Sequence, residues 1–276
     1  MMNQKDEPEV KPRRRLLRRL AAWRLRRAQI KYVLALAVLA VLTFYARLYA
    51  YFAWDKATAL WLQSLQAPGL EAFMYGVSYI GYSWFPYALT ALTVGVFLRL
   101  RMRSEAYGLL LSAAGSGLLN RFIKMLIARP RPTTADVAVI LPHGGQSFPS
   151  GHVTFYVCYF GFLFFVAYAL LPPRTFARRL ALTLTILMIA LVGLSRVYLG
   201  AHWPSDTIGA YFLGGLWLAF SLHLYRRWKD RSTFHRDELS EPVTPDPTKP
   251  TSLTSPCAKP SLRYDEHARF HRQQID

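Results

Sequence analysis

Six stretches of this chain are apolar over close to the length that a bilayer demands of a helix: Tyr32 to Phe52, Trp84 to Leu100, Ala106 to Ile127, His152 to Leu171, Leu180 to Arg196 and Asp206 to Tyr225. A helix needs ~20 apolar residues to cross a hydrocarbon core, and within lipid only helices and closed barrels satisfy their own backbone hydrogen bonds. The chain therefore reads as all-α, a six-transmembrane-helix bundle. Some charge-free runs, such as Ala106 to Asn120, are shorter, so those spans include flanking residues or tilt. Hydrophobic residues make up 53% of the 276 residues and aromatics 14%, high for a soluble protein of this size.

Against that apolar background stand 34 Lys and Arg and only 16 Asp and Glu. The formal charge of +18 suggests nucleic-acid binding in a soluble protein, but here most of the excess flanks apolar segments, where it suits an anionic leaflet. Eleven basic residues precede Tyr32. Further basic flanks are Arg99 with Arg101 and Arg103, Arg174 with Arg178 and Arg179, and Arg226 with Arg227, Lys229 and Arg231. Lys and Arg beside spans are retained in the cytoplasm. Four such flanks on one side of six spans place both termini in the cytoplasm and the segments 47–83, 124–151 and 197–205 outside, in a multi-pass protein of the plasma (inner) membrane. The basic N-terminus resembles a signal peptide but has no convincing small-residue cleavage site, and reads as leading into an uncleaved first span.

The first outer segment mixes Trp54, Trp61, Tyr75, Tyr79 and Tyr82 with several leucines, the composition of an interfacial helix. Residues 1–31 form a basic cytoplasmic tail. Within it Leu16, Leu20 and Trp23 have helical spacing, so 13–31 is open between helix and solvated tail. Residues 32–228 form the membrane domain. Residues 229–276, rich in Pro, Ser, Thr and charge, form a disordered cytoplasmic tail. Two cysteines, Cys158 in an apolar span and Cys257 in the polar tail, form no bridge.

The outer ends of the spans carry polar residues that a membrane protein has no structural reason to gather. Lys124 and Arg131 stand at the exit of the third span, Pro149-Ser150-Gly151-His152 opens the fourth, Ser195-Arg196 closes the fifth, and His202 and Asp206 open the sixth. The cations oppose the charge rule and so require an anion. A phosphoryl group suits them, since Arg offers a fork of donors and Lys a compact charge. Ser150 and Gly151 before a helix start add a hydroxyl and backbone N–H groups. Two histidines supply a nucleophile and a proton donor, and Asp206 fixes the tautomer of His202.

These residues resemble the type 2 phosphatidic acid phosphatases, whose three motifs stand in order as KMLIARPRP (Lys124 to Pro132), PSGH (Pro149 to His152) and SRVYLGAHWPSD (Ser195 to Asp206). The resemblance covers about residues 70–225 and implies a metal-independent, cofactor-free lipid phosphatase in the bilayer. It makes His202 the nucleophile that becomes a phosphohistidine, Asp206 its orienting carboxylate and His152 the acid that protonates the leaving oxygen. Lys124, Arg131, Arg196, Ser150 and Gly151 then hold the phosphate oxygens. A bacterial branch is indicated, with undecaprenyl diphosphate, phosphatidylglycerol phosphate, phosphatidic acid or the lipid A 1-phosphate as substrate; branch analogy favours the first. The alternatives are a lipid phosphotransferase and a non-catalytic binder of phosphorylated lipid, the latter disfavoured by the intact histidines.

Each residue also has a plainer reading. Lys124 alone could snorkel, as Arg47 does. Arg129, out of motif register, reads as rim electrostatics, His143 in the HGGQS stretch as a loop residue, His223 as interfacial and Cys158 as core. Gly115, Gly117, Gly209, Gly214 and Gly215 read as close helix packing.

Overall fold

The computed structural model describes residues 11–142 and 144–240, so His143 and Cys257 lie outside the described residues. Among those described there are eight helices and no strand: α1 (Lys11–Leu48), α2 (Ala53–Ser64), α3 (Leu70–Tyr79), α4 (Phe85–Arg99), α5 (Arg103–Ile127), α6 (Gly151–Leu170), α7 (Phe176–Tyr198) and α8 (Pro204–Ser240). Five stretches are long and apolar enough to cross a membrane: Gln29–Leu48, Arg103–Ile127, Gly151–Leu170, Phe176–Tyr198 and Pro204–Lys229. The stretch Trp84 to Leu100 forms a helix of only 15 residues. At ~1.5 Å per residue that is ~22 Å, short of a ~30 Å core.

The polar sequence before Tyr32 does not interrupt α1, which is one helix of 38 residues. The helical spacing seen over 13–31 thus continues directly into the first span. Similarly, α8 runs to Ser240, well past residue 229, where sequence composition starts the disordered tail. No Gly or Pro falls between Gly215 and Pro242 to stop it. Tyr225 and Lys229, in its second half, hold it to Glu105 on α5, at 2.9 and 2.5 Å.

The single interfacial helix expected in the first outer segment is instead two short helices, α2 and α3, broken at Pro68-Gly69, where Gly69 takes a φ of +80°. They dock rather than lie free. Ala59, Leu62 and Met74 are buried with Val197, Tyr198, Leu199 and Trp203 at the junction of α7 and α8, while Trp54, Trp61 and Tyr75 remain exposed on the other side.

The bundle centres on α6, packed between α5 and α7, with α4 laid along α5. Residues 100–102 link α4 to α5, so the pair is an antiparallel hairpin. Glycines let the helices close: a Cβ at Gly115 would meet Trp217, at Gly214 Val157 and at Gly209 Phe148, each under 3.0 Å. Gly117 and Gly215 differ from the packing expected of them, since nothing lies within 4 Å of an added Cβ there. They line open clefts. Cys158 is core, as expected, its Sγ directed at the Gly214 carbonyl. Helix α1 stands apart; among its described residues only Leu39 and Ala46 are buried.

Candidate active site

The end of α5, the start of α6, the end of α7 and the start of α8 meet at one end of the bundle, beneath α2 and α3. Backbone hydrogen bonds close this end: Ser150 N donates to Asp206 O at 3.2 Å, and His202 N donates to Arg196 O at 3.3 Å. Asn120 on α5 adds a clamp on the start of α6, donating to Pro149 O at 3.3 Å and to Thr154 Oγ1 at 3.0 Å. Gly200, at φ +67°, permits the turn from α7 to α8 to lie against the Ala138 carbonyl, 2.1 Å from where a Cβ would sit.

His202 is nearly fully buried. Its Nε2 lies 3.2 Å from Arg131 Nη1. A guanidinium has no acceptor, so Nε2 presents its lone pair and the ring proton belongs on Nδ1. Nδ1 faces Asp206 Oδ2 at 3.6 Å and Ser147 Oγ at 3.4 Å. The carboxylate contact is therefore an ion-pair approach rather than a hydrogen bond. Ser147, whose hydroxyl donates to Asp206 Oδ2, bridges the two side chains. The carboxylate is held further by Trp203 N, donating to Oδ2 at 2.9 Å.

The cations surround this pair. Arg131 donates to Ala201 O at 2.7 Å and to Gly145 O at 3.1 Å. Burial pulls its pKa down while the Asp206 carboxylate pulls it up, and a guanidinium stays charged throughout. Lys124 Nζ donates to Gln146 O at 2.5 Å and to Ser147 O at 3.3 Å. Arg196 is fully buried and donates through Nη1 to Ser78 Oγ at 2.8 Å. Lys124 lies within electrostatic reach of Arg131, Arg196 and Asp206. Ser150 Oγ is buried and makes no hydrogen bond among the described residues, an unsatisfied polar group of the kind that an oxyanion would complete.

His152, in the first turn of α6, stands against Gly81 in the link from α3 to α4; a Cβ on Gly81 would fall 2.3 Å from His152 Cδ2. Gly151 and His152 line one end of a cavity of 830 Å³ between α4, α5 and α6, with Lys124 beside them. The walls away from that end are apolar, including Val94, Leu98, Leu110 and Leu118.

Arg129 is the main departure from the sequence reading. It is buried, not at the rim: Nη1 donates to Asp206 Oδ1 at 2.6 Å and to Ser205 Oγ at 2.7 Å, Nη2 to Asp55 Oδ2 at 3.0 Å, and Nε to Ala50 O at 3.0 Å. Asp55, Ser147, Ser205, Ser78 and Gly81 also escaped the sequence reading. For Asp55 a signal existed, since Asp55 and Glu71 are the only acids between Glu9 and Glu105.

Comparison with known proteins places the chain among PAP2 phosphatases. A family model described as the PAP2 superfamily matches residues 105–230. Phosphatidylglycerophosphatase B of Bacillus subtilis is 29% identical over 160 residues, covering 58% of this chain and 77% of that protein. Decaprenylphosphoryl-5-phosphoribose phosphatase of Mycobacterium tuberculosis is 31% identical over 151 residues, covering 53% and 76%. Among solved structures, a transmembrane PAP2 type phosphatidylglycerolphosphate phosphatase from Bacillus subtilis superimposes with a TM-score of 0.61 at 27% identity, over 71% of this chain and 96% of that one.

Proposed function

The chain belongs to the PAP2 superfamily of membrane phosphatases, and on that premise we propose that it removes phosphate from a lipid phosphomonoester or diphosphate by way of a phosphohistidine on His202. The observation that carries the lipid reading is the cavity of 830 Å³, apolar along α4 and α5 and ending on Lys124, Gly151 and His152. From Leu110 to Lys124 it follows fourteen residues of α5, ~21 Å at ~1.5 Å per residue. An apolar chain lying there would bring its headgroup to the histidines.

In the proposed reaction Nε2 of His202 attacks phosphorus with the lone pair now facing Arg131. The P–O bond to the lipid breaks, and His152 gives its proton to the departing oxygen. Asp206 and Ser147 take the positive charge that develops on the imidazole through Nδ1. Lys124, Arg131, Arg196 and the groups at Ser150 and Gly151 hold the phosphoryl oxygens. Water then attacks the phosphohistidine, with His152 as base, and releases inorganic phosphate.

Orientation belongs to the same proposal. Gly81 lies against His152 at the site end, while Arg99 is four residues from Arg103 at the other end, so α4 and the turn before it run alongside α5 toward the site. With α4 as a sixth span, ~22 Å of helix extended by its flanking turn at residues 80–84, both termini lie in the cytoplasm and the site faces outward. Among lipid phosphates we favour undecaprenyl diphosphate; a relative of that named specificity, the undecaprenyl-diphosphatase of Bacillus subtilis, is 27% identical over 146 residues.

The test is the purified protein in detergent with undecaprenyl diphosphate, phosphatidylglycerol phosphate, phosphatidic acid and a water-soluble phosphomonoester, reading free phosphate and lipid product. Release from at least one lipid, at a kcat/KM well above that for the soluble ester, is expected. Equal rates on the soluble ester would refute the role given to the cavity.

A further inference from the structure

The geometry points to Asp55, on α2 and outside all three motifs, as a positioning residue that acts through Arg129 to hold Asp206 and the start of α8 in place for His202. It rests on the phosphatase reading for the reaction it serves. Asp55 is fully buried and every oxygen is used. Oδ1 accepts from Ser205 N at 2.8 Å; Oδ2 accepts from Ser205 Oγ at 2.7 Å, Arg129 Nη2 at 3.0 Å and Phe52 N at 3.1 Å. It thus grips both the residue preceding Asp206 and the guanidinium that occupies Asp206 Oδ1. With Oδ1 taken, Oδ2 is the oxygen left to face His202.

The arrangement also sets a charge. Asp55, Arg129 and Asp206 are all buried, and one cation between two carboxylates leaves a single negative charge. Were Arg129 paired with Asp206 alone, the pair would be neutral and the carboxylate would do little for a cationic imidazole. Asp55 takes up the guanidinium charge and leaves that of Asp206 for His202. The other groups charged around His202 are Arg131 at 3.2 Å from Nε2, and Lys124 on α5 and Arg196 on α7 within electrostatic reach of that arginine. Farther out on the surrounding elements stand His152 and Tyr156 on α6, Tyr156 within electrostatic reach of Arg196, Glu105 and Arg121 on α5, Tyr198 on α7, and Lys56 on α2, paired with Asp136 at 3.2 Å. None of these opposes the loss of a negative charge behind Nδ1.

The substitution Asp55→Asn keeps the shape and removes the charge. It should lower kcat by about 10- to 100-fold with KM changed less than about threefold, because the cations that bind phosphate are untouched. Groups that act as a unit are not additive, so Asp55→Asn combined with Asp206→Asn should be no more than about threefold slower than Asp206→Asn alone. The pair Asp55→Asn with Arg129→Gln removes one charge of each sign and again leaves a single negative charge, now on Asp206; it should bring the His202 pKa back toward its native value while kcat stays below native, because Asp206 Oδ1 has lost the guanidinium that positions it. Independently of turnover, the His202 pKa read by NMR of ¹³C-histidine-labelled protein should fall in Asp55→Asn, since less negative charge favours the neutral ring. A folded Asp55→Asn protein with native kcat and an unmoved His202 titration would overturn the proposal, as would multiplicative losses in the double variant. Absence of phosphate release from the native protein on every lipid sinks the phosphatase reading instead, and the His202 titration then decides the positioning role alone.

Discussion

Replacing Gly81 with Ala tests the role of His152 without touching a reactive group. Gly81 does not adopt a left-handed conformation, so the backbone accepts alanine. The new Cβ would lie 2.3 Å from His152 Cδ2, 2.9 Å from Cγ and 3.1 Å from Nε2. Carbon contacts settle at ~3.5–4.0 Å, so the ring must move by ~1.2 Å or more. It can do so by rotating toward the adjoining cavity, and the stability cost should be near the low end of the ~1–3 kcal/mol typical of overpacking. Catalysis is less tolerant. A displacement of ~1 Å from productive geometry can cost ~10²-fold, and here the loss should fall on kcat, because the phosphate-binding cations stay in place. The assay is steady-state phosphate release from the best lipid substrate, with thermal unfolding measured alongside. A lipid analogue with an aryl leaving group, which needs no proton to depart, should lose less. Gly76→Ala, on α3 with nothing within 4 Å of its added Cβ, is the control and should match the native protein. Native kcat in a folded Gly81→Ala protein would refute the idea that the place of His152 governs protonation of the leaving group.

Removing the nucleophile with His202→Ala should cut phosphate release by at least ~10³-fold in a protein that still melts cooperatively; native-like turnover would dismiss the phosphohistidine. Arg131→Lys and Arg196→Lys keep the charge but lose the fork, and each should lower kcat/KM more than it lowers the melting temperature; unchanged kinetics in either places that arginine outside the phosphate site. Ala114→Trp would fill the apolar cavity beside α5. It should raise KM for long-chain lipid phosphates and leave short-chain analogues unaffected, and equal effects on both would speak against a chain-binding role. For orientation, a protein lacking Cys158 and Cys257 with a single thiol at Gly144 should react with an impermeant reagent on intact cells, whereas one at Thr175 should react only after lysis. The reverse pattern would move the site to the cytoplasmic face.

The apolar stretches and the three motifs were readable in the sequence because both follow local rules. Bilayer length sets the span of each helix, and Lys124, Arg131, Ser150, Gly151, Arg196, His202 and Asp206 sit at helix ends where spacing along the chain already aligns them. Composition changes near Lys229, whereas α8 runs on to Ser240, and the hold of Lys229 on Glu105 spans 124 residues of sequence that no local pattern links. Nor does composition show that α2 and α3 dock, because a leucine bound for lipid and one bound for α7 look the same in a sequence. The inner support of the site was decided by tertiary structure alone. Asp55 meets Arg129 across 74 residues and Ser205 across 150, so no motif spacing could pair them. Arg129 differs from Arg131 in sequence only by position, yet one is enclosed with two carboxylates and the other faces His202 Nε2. A buried charge needs partners, and the packing of α2 over the start of α8 brings both Asp55 and Asp206 to Arg129.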